Sequence, residues 1–467
     1  MIDLDGNATN SGSNPVVNNS LDNSGNNALD CPNINPSINP SINPSINPDI
    51  TYDLVLRQGR AIGVAEFAGQ LVDVGIAGGK IVAIAPQLAN AGAMEIPVEG
   101  QIISPPFVES HIHLDSALTS GEPRWNESGT LFEGIEIWGE RKQSLTLEDI
   151  KDRAIAALKL QASQGVLFVR SHADVSEPQL LALQGLLEVQ AAVKDWITLQ
   201  LVAFPQDGIY SKPANRELIE EALRLGADVV GGIPHYELTR ENGVQSVQRI
   251  FALAEQYDKL IDIHCDEIDD DQSRFLEVMV AQAIRTGMGS RVSASHTTAF
   301  GSYNNAYAFK LMGFLQRTNI NFIANPLINI TLQGRTDTYP KRRGVTRVKE
   351  LWQQGQNVSL GNDCIQDPWY NFGTGSMLDV ALMAVHVCQM TGRKEVEACY
   401  DMITVNGAKT LSIADYGLGV GKPANLIVLD AIDRFTAIQK RSVAKYVISQ
   451  GKLISQTTPA QAHFQLS

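Results

Sequence analysis

Ile102-Ile103-Ser104-Pro105-Pro106-Phe107-Val108-Glu109-Ser110-His111-Ile112-His113-Leu114-Asp115 is an apolar, strand-like run that ends in two histidines one residue apart. Side chains alternate across a strand, so His111 and His113 point the same way and can grip one ion between them. Imidazole suits zinc or iron, and a strand end opening on a barrel mouth leaves coordination positions free for water. A His-x-His pair alone also arises by chance, so the remaining ligands have to come from elsewhere in the chain.

Working outward, apolar runs of strand length occur at Ile102–Val108, Val166–Val169, Ile197–Phe204, Asp228–Ile233, Leu260–Ile263, Arg291–Ala294, Asn321–Ala324 and Asn357–Leu360. Amphipathic helical segments separate most of them, among them Leu147–Ser163, Glu217–Leu225, Val244–Tyr257 and Phe275–Thr286. Strand and helix in alternation give parallel sheets, and eight such units suggest a closed α/β structure, a (β/α)8 TIM barrel with its chemistry at the carboxyl ends of the strands. The residues just after the runs bear on this directly: His111 and His113, His172 and Asp174, Gln206, His235, His264 and Glu267, His296, Asn325 and Asp363. Six of the 8 histidines fall at strand ends, where random placement would scatter them.

A different pattern flanks the barrel. From Tyr52, short alternating strands separated by glycine turns (53–57, 71–76, 80–85) read as antiparallel β structure, and a matching set returns at 424–430, 443–449 and 452–454. The two chain ends are expected to pair into a small β-sandwich, residues 51–104 and 413–467, around a barrel over 105–412. Residues 1–50 are rich in Asn, Ser, Pro and Gly and repeat Ser-Ile-Asn-Pro at 37–40, 41–44 and 45–48. That composition buries too little apolar surface to offset ordering entropy, and it reads as a disordered tail without a catalytic part.

Bulk properties exclude several classes. With 467 residues, 44% of them hydrophobic, the chain can build a large core, while a net charge of −14 argues against a nucleic-acid partner. No run approaches the ~20 apolar residues of a membrane span, and the N-terminus lacks the basic and apolar regions of a signal peptide. The five cysteines (Cys31, Cys265, Cys364, Cys388 and Cys399) have no paired spacing, which fits reduced thiols and a cytoplasmic setting. Tyr416-Gly417-Leu418-Gly419-Val420-Gly421-Lys422-Pro423 lacks the first Gly and the final Ser or Thr of a phosphate loop. No Gly-x-Ser-x-Gly nucleophile elbow occurs.

A metal-centred barrel accounts best for the strand-end residues. His111, His113, His264 and Asp363 would hold one divalent ion, Fe(2+) or Zn(2+), which lowers the pKa of bound water from ~15.7 toward ~7 and supplies a hydroxide nucleophile. Asp363 could accept a proton from that water, and His296 could orient it or serve as a second base. Glu267, three residues beyond His264, could protonate a ring nitrogen while the adjacent carbon is attacked.

His111-Ile112-His113-Leu114-Asp115, Gly129-Thr130-Leu131-Phe132-Glu133-Gly134-Ile135-Glu136, Val202-Ala203-Phe204-Pro205-Gln206, His264-Cys265-Asp266-Glu267-Ile268-Asp269, Ala294-Ser295-His296-Thr297-Thr298, Asn325-Pro326-Leu327 and Asp367-Pro368-Trp369-Tyr370 resemble segments of bacterial cytosine deaminases, in the amidohydrolase superfamily. The resemblance runs from about residue 52 to about 460. It implies a mononuclear iron or zinc centre held by His111, His113, His264 and Asp363, with Glu267 as the ring-nitrogen acid and His296 orienting the hydroxide. Gln206 is implied to read the pyrimidine carbonyl and its neighbouring N–H, donating and accepting at once. Leu131, Cys364 and Trp369 are implied beside the substrate, and a homo-oligomer is implied for the assembly.

One departure is informative. Where that family typically reads Gly-His-Asp-Asp, this chain has Gly361-Asn362-Asp363-Cys364. The ligand Asp survives and the next residue loses its carboxylate, so hydrolytic deamination is expected while the preferred base is open: cytosine, 5-methylcytosine or isocytosine, with isoguanine or creatinine as alternatives. Ring-opening amide hydrolysis is the rival within the superfamily. It commonly uses two metals bridged by a strand-4 lysine, and Val229-Val230-Gly231-Gly232-Ile233-Pro234 leads to His235 with no lysine.

Overall fold

Pro105 and Pro106 divide the opening run between two sheets. The structure is a computed structural model describing residues 51–463 and 465, and in it Ile102–Ser104 ends a strand of one sheet while Phe107–Ile112 begins the other. Proline fixes φ and offers no N–H to a ladder, so a Pro-Pro pair is where one strand stops and the next starts. The expectation of a single barrel strand over Ile102–Val108 is corrected to that extent, and His111 lies inside the barrel strand.

The strands in chain order are β1 (Tyr52–Ala61), β2 (Val72–Ala77), β3 (Lys80–Ala85), β4 (Gly92–Pro97), β5 (Ile102–Ser104), β6 (Phe107–Ile112), β7 (Val166–Asp174), β8 (Thr198–Phe204), β9 (Val229–Gly232), β10 (Leu260–Cys265), β11 (Val292–His296), β12 (Asn321–Ala324), β13 (Asn357–Leu360), β14 (Leu426–Leu429), β15 (Ala444–Ser449) and β16 (Lys452–Gln456). Strands β6 to β13 follow one another in order, each parallel to the next, with helices between them, as a (β/α)8 barrel requires. Strands β6, β7 and β9 to β12 are buried almost throughout, which is why they read as continuous apolar runs rather than as alternation. The seam between β6 and β13 closes through a bridge of Ile112 with Asp363, where the Asp363 N–H donates to the His111 carbonyl at 2.8 Å and the His113 N–H to the Asp363 carbonyl at 3.0 Å. Backbone groups of three expected ligands thus shut the cylinder.

The helix Leu147–Ser163 occupies the span its periodicity predicts. Thr146 caps it by accepting from the Asp149 N–H, Glu148 and Asp149 favour the positive end of its dipole, and Ile150, Ala154, Ala157 and Leu158 bury one face in the barrel core.

The remaining strands lie in the order β16-β15-β14-β5-β1-β2-β3, with β4 also on β1, so both chain ends contribute to one sheet. It turns at β1, which pairs with β2 and β4 along its first half and with β5 at Arg60 and Ala61. Leu54, Val74 and Ile103 share a buried cluster with Leu426, Val428 and Ile448, giving the sandwich its core. Most pairs are antiparallel as expected, but β4 and β5 run parallel to β1, and β4 carries no apolar run because most of it is exposed. The segment 1–50, read from sequence as a tail, lies outside the described residues. Among the described residues no helix is long and apolar enough to cross a membrane.

Candidate metal centre and active site

Strand ends deliver the side chains. His111 sits within β6 with His113 just beyond it, His264 is near the end of β10, His296 ends β11, and Asp363 follows β13. Several of these turns are left-handed at residues other than glycine: Asp266 at φ 52°, His296 at 67°, Thr297 at 46° and Asp363 at 67°. Such backbone costs on the order of 1–3 kcal/mol per residue and persists where surrounding contacts hold it. Asp266 is held in this way, accepting from the Phe275 and Leu276 N–H groups at 3.0 and 2.9 Å and from Ser273 Oγ at 2.6 Å. That anchors the loop on which Glu267 stands.

The donor atoms converge. One set of nitrogens and oxygens from His111, His264, His296 and Asp363 lies within 4.8 Å of one another, and a second joins His111 and His113 to His172. His113 Nε2 is 3.1 Å from His264 Nε2, and Asp363 Oδ1 is 3.4 Å from both His111 Nε2 and His113 Nε2. His111 Nε2 and His264 Nδ1 are buried with no hydrogen-bond partner among the described residues. Unpaired buried nitrogens are costly unless something binds them, so the donor set fits a divalent cation. The protonation states agree. Burial pulls His113 down to about 4, against the opposing pull of Asp363, and burial with neighbouring imidazoles lowers His264 well below its ordinary value. Burial alone would raise Asp363, but His296, His111 and His113 hold it below the usual carboxylate range. Neutral imidazoles and an ionised carboxylate are the forms a metal requires.

Glu267 differs from Asp363 in the opposite sense. Burial, reinforced by the charge of Asp363, raises its carboxyl well above the ordinary range. Its Oε1 lies 3.2 Å from His296 Nδ1, while Asn325 and Asn329 bring amide nitrogens within 3.3 and 3.0 Å of the same ring.

A cavity of about 30 Å³ opens beside this cluster and is lined by all four expected substrate contacts, Gln206, Leu131, Cys364 and Trp369. Ile233, Ile328 and Leu332 complete its wall. Cys364 packs with Ile328 and Leu332, and Leu131, Trp369 and Tyr370 adjoin that apolar cluster. Trp369 is fixed from two sides: Asp367 Oδ1 accepts its backbone N–H at 3.0 Å, and its Nε1 donates to the Leu131 carbonyl at 3.2 Å. The helix Leu131–Arg141 approaches so closely that a Cβ on Gly134 would stand 2.2 Å from the indole. His172, Asn329, Ile328 and Leu332 were not assigned to the site from sequence. His172 had the signal of a strand end, whereas the other three sit on the helix Pro326–Leu332, whose apolar residues read as ordinary core.

A (β/α)8 barrel whose mouth gathers histidines and a carboxylate able to hold an ion has the architecture of a metal-centred hydrolase. The model of the Amidohydrolase family matches residues 95–455, and the chain belongs to that family. Its fold superposes on 5-methylcytosine deaminase from Klebsiella pneumoniae liganded with 5-fluorocytosine, with a TM-score of 0.85 and 47% identity over 88% of this chain and 99% of that one. The same Klebsiella enzyme liganded with phosphonocytosine gives a TM-score of 0.84. N-isopropylammelide isopropyl amidohydrolase of Pseudomonas sp. (strain ADP) is 30% identical over 389 residues, covering 82% of this chain and 93% of its own. Pterin deaminase of Rhizobium rhizogenes is 26% identical over 396 residues, covering 83% and 88%.

Proposed function

We propose that this protein hydrolytically deaminates an aminopyrimidine, with 5-methylcytosine, cytosine or isocytosine as the base, releasing ammonia and a uracil-type product. The observation that carries the reading is one cavity lined by Gln206, Glu267, His113, His264 and Asp363, in which burial raises the carboxyl of Glu267 while neighbouring histidines lower that of Asp363. His111, His113, His264 and Asp363 would hold one divalent ion. Such an ion supplies Lewis acidity and brings the pKa of water toward ~7.

The chain's own groups supply the rest. Gln206 donates and accepts on the pyrimidine edge that carries the carbonyl and N–H, which aims the amino carbon at the His and Asp cluster. Glu267 gives its proton to the ring nitrogen next to that carbon, making it electrophilic as water adds. His296, neutral because burial lowers its pKa, steadies the attacking oxygen by hydrogen bonding, and Asp363 takes a proton from it. The two protons of the water end on the departing amine and back on Glu267, so ammonia leaves and both carboxyl groups return to their starting states. Cys364, Ile328 and Leu332 offer an apolar wall without a carboxylate, which suits a 5-methyl group.

Ammonia release from purified protein across cytosine, 5-methylcytosine, isocytosine, isoguanine and creatinine tests this. Turnover of pyrimidines is expected. Turnover of isoguanine or creatinine alone would replace the reading.

A further inference from the structure

Below the mouth a chain of buried groups reaches His111 from behind. Ser295, on β11, is fully buried, and its Oγ stands 3.1 Å from His111 Nδ1. The same hydroxyl donates to Asp262 Oδ1, on β10, at 2.5 Å. The other oxygen of Asp262 accepts from Arg170 on β7 at 3.1 Å, and Arg170, also fully buried, donates further to Ser293 Oγ, Gln200 Oε1 and the Thr410 carbonyl.

Counting hydrogens along this chain fixes its direction. A serine hydroxyl has one hydrogen, and a carboxylate set against a guanidinium only accepts, so the Ser295 hydrogen goes to Asp262. That leaves Ser295 Oγ with lone pairs alone to offer His111, and Nδ1 must be the donor. In a neutral imidazole protonated on Nδ1, Nε2 is a bare lone pair. His111 Nε2 is the atom that is buried without a hydrogen-bond partner and faces Asp363 across 3.4 Å.

We infer that Arg170, Asp262 and Ser295 form a relay that sets the tautomer of His111 and presents its Nε2 to the ion. They are positioning residues. Arg170 donates to one oxygen of Asp262, Asp262 commits the serine hydrogen with the other, and Ser295 commits the imidazole. This rests on the proposed reading of His111 as a metal ligand.

Metal retention, measured by chelator competition on the intact protein, separates the two ideas. If the unmodified protein holds no divalent ion, the ligand reading itself fails and the relay with it. If it holds one, Ser295→Ala is expected to weaken retention about 10–100-fold, the cost typical of removing an outer partner of a ligating histidine. Ser293→Ala is expected to leave retention unchanged, because it removes a hydroxyl held by the same Arg170 but not linked to His111. Retention in Ser295→Ala within about twofold of the unmodified protein, or an equal loss in Ser293→Ala, overturns the relay. A second measurement needs no variant: in unmodified, zinc-loaded protein with ¹⁵N-labelled histidine, His111 is expected to carry its proton on Nδ1 and the metal on Nε2. Metal on Nδ1 overturns the proposal.

Discussion

Arg170 and His264 are both wholly buried in the same barrel, yet they are provided for in opposite ways. The guanidinium meets Asp262, Ser293, Gln200 and the Thr410 carbonyl, so a charge far from water has partners on every side. At the mouth, His111 Nε2, His264 Nδ1 and the amide oxygens of Asn325 and Asn329 are buried with none among the described residues. Leaving a buried polar atom unpaired costs ~1–3 kcal/mol. Around Arg170 the lower region is therefore complete as the chain folds it, while the upper one offers buried, unpaired atoms to a ligand. Apart from the Ser295 link to His111, changes below should therefore act first on stability and changes above on binding and turnover.

Removing the ion is the largest expected perturbation. Chelation should abolish ammonia release, and one equivalent of Fe(2+) or Zn(2+) per chain should restore it, since the four proposed ligands make one site. Full activity in metal-free protein, or a requirement for two equivalents, would break the picture of a single ion site.

Glu267→Gln comes next, with kcat expected to fall ~10²–10⁴-fold at unchanged metal content. The amide keeps the shape and cannot transfer the proton that burial keeps on Glu267. A loss under tenfold would return Glu267 to the structural class that Asp266 represents.

Below the mouth, Arg170→Met should cost ~3–5 kcal/mol of stability, because it strands Asp262 as an unpaired buried charge. The midpoint of urea unfolding reads this directly. A variant as stable as the unmodified protein would show that the completeness of the lower region is not what holds the barrel.

The same division explains what could be read without a structure. Parallel barrel strands covered on both faces are mostly apolar, so histidines and carboxylates gathered at their carboxyl ends announce the site, and His111, His264, Glu267, His296 and Asp363 stood out for that reason. The helix Leu147–Ser163 was legible because Thr146 starts it and its apolar residues repeat at helical spacing. Strand β4 was not, since most of its residues are exposed and its partner is remote in sequence. Pro105-Pro106 hid a change of sheet inside one apolar run. Ile328 and Leu332 were invisible as pocket residues because an apolar side chain on a helix has the same appearance whether it packs on core or lines a cavity.

Those two residues lead to the smallest expected effect, at the position where sequence and structure meet. Cys364 replaces a carboxylate typical of the resembled family, and it packs against Ile328 and Leu332 in an apolar wall of the cavity. Cytosine, 5-methylcytosine and isocytosine share the reacting unit of amino carbon, unprotonated ring nitrogen and carbonyl, so Glu267 treats them alike, while Gln206 finds an N–H beside the carbonyl of the two cytosines and C5–H there in isocytosine. They differ on the far side of the amino carbon, which carries C5–H, a methyl group or a ring N–H. A thiol beside that position leaves room and asks for no hydrogen bond, whereas a carboxylate would have to be solvated there. One buried methyl is worth ~1–3 kcal/mol, or roughly 10–200-fold in relative specificity. Cys364→Asp is therefore expected to lower the ratio of kcat/KM for 5-methylcytosine over cytosine by a factor in that range, with kcat for cytosine little changed. If the ratio does not move, the selector lies elsewhere in the wall, and Leu332→Ala, which enlarges the same cluster without adding charge, becomes the next position to vary.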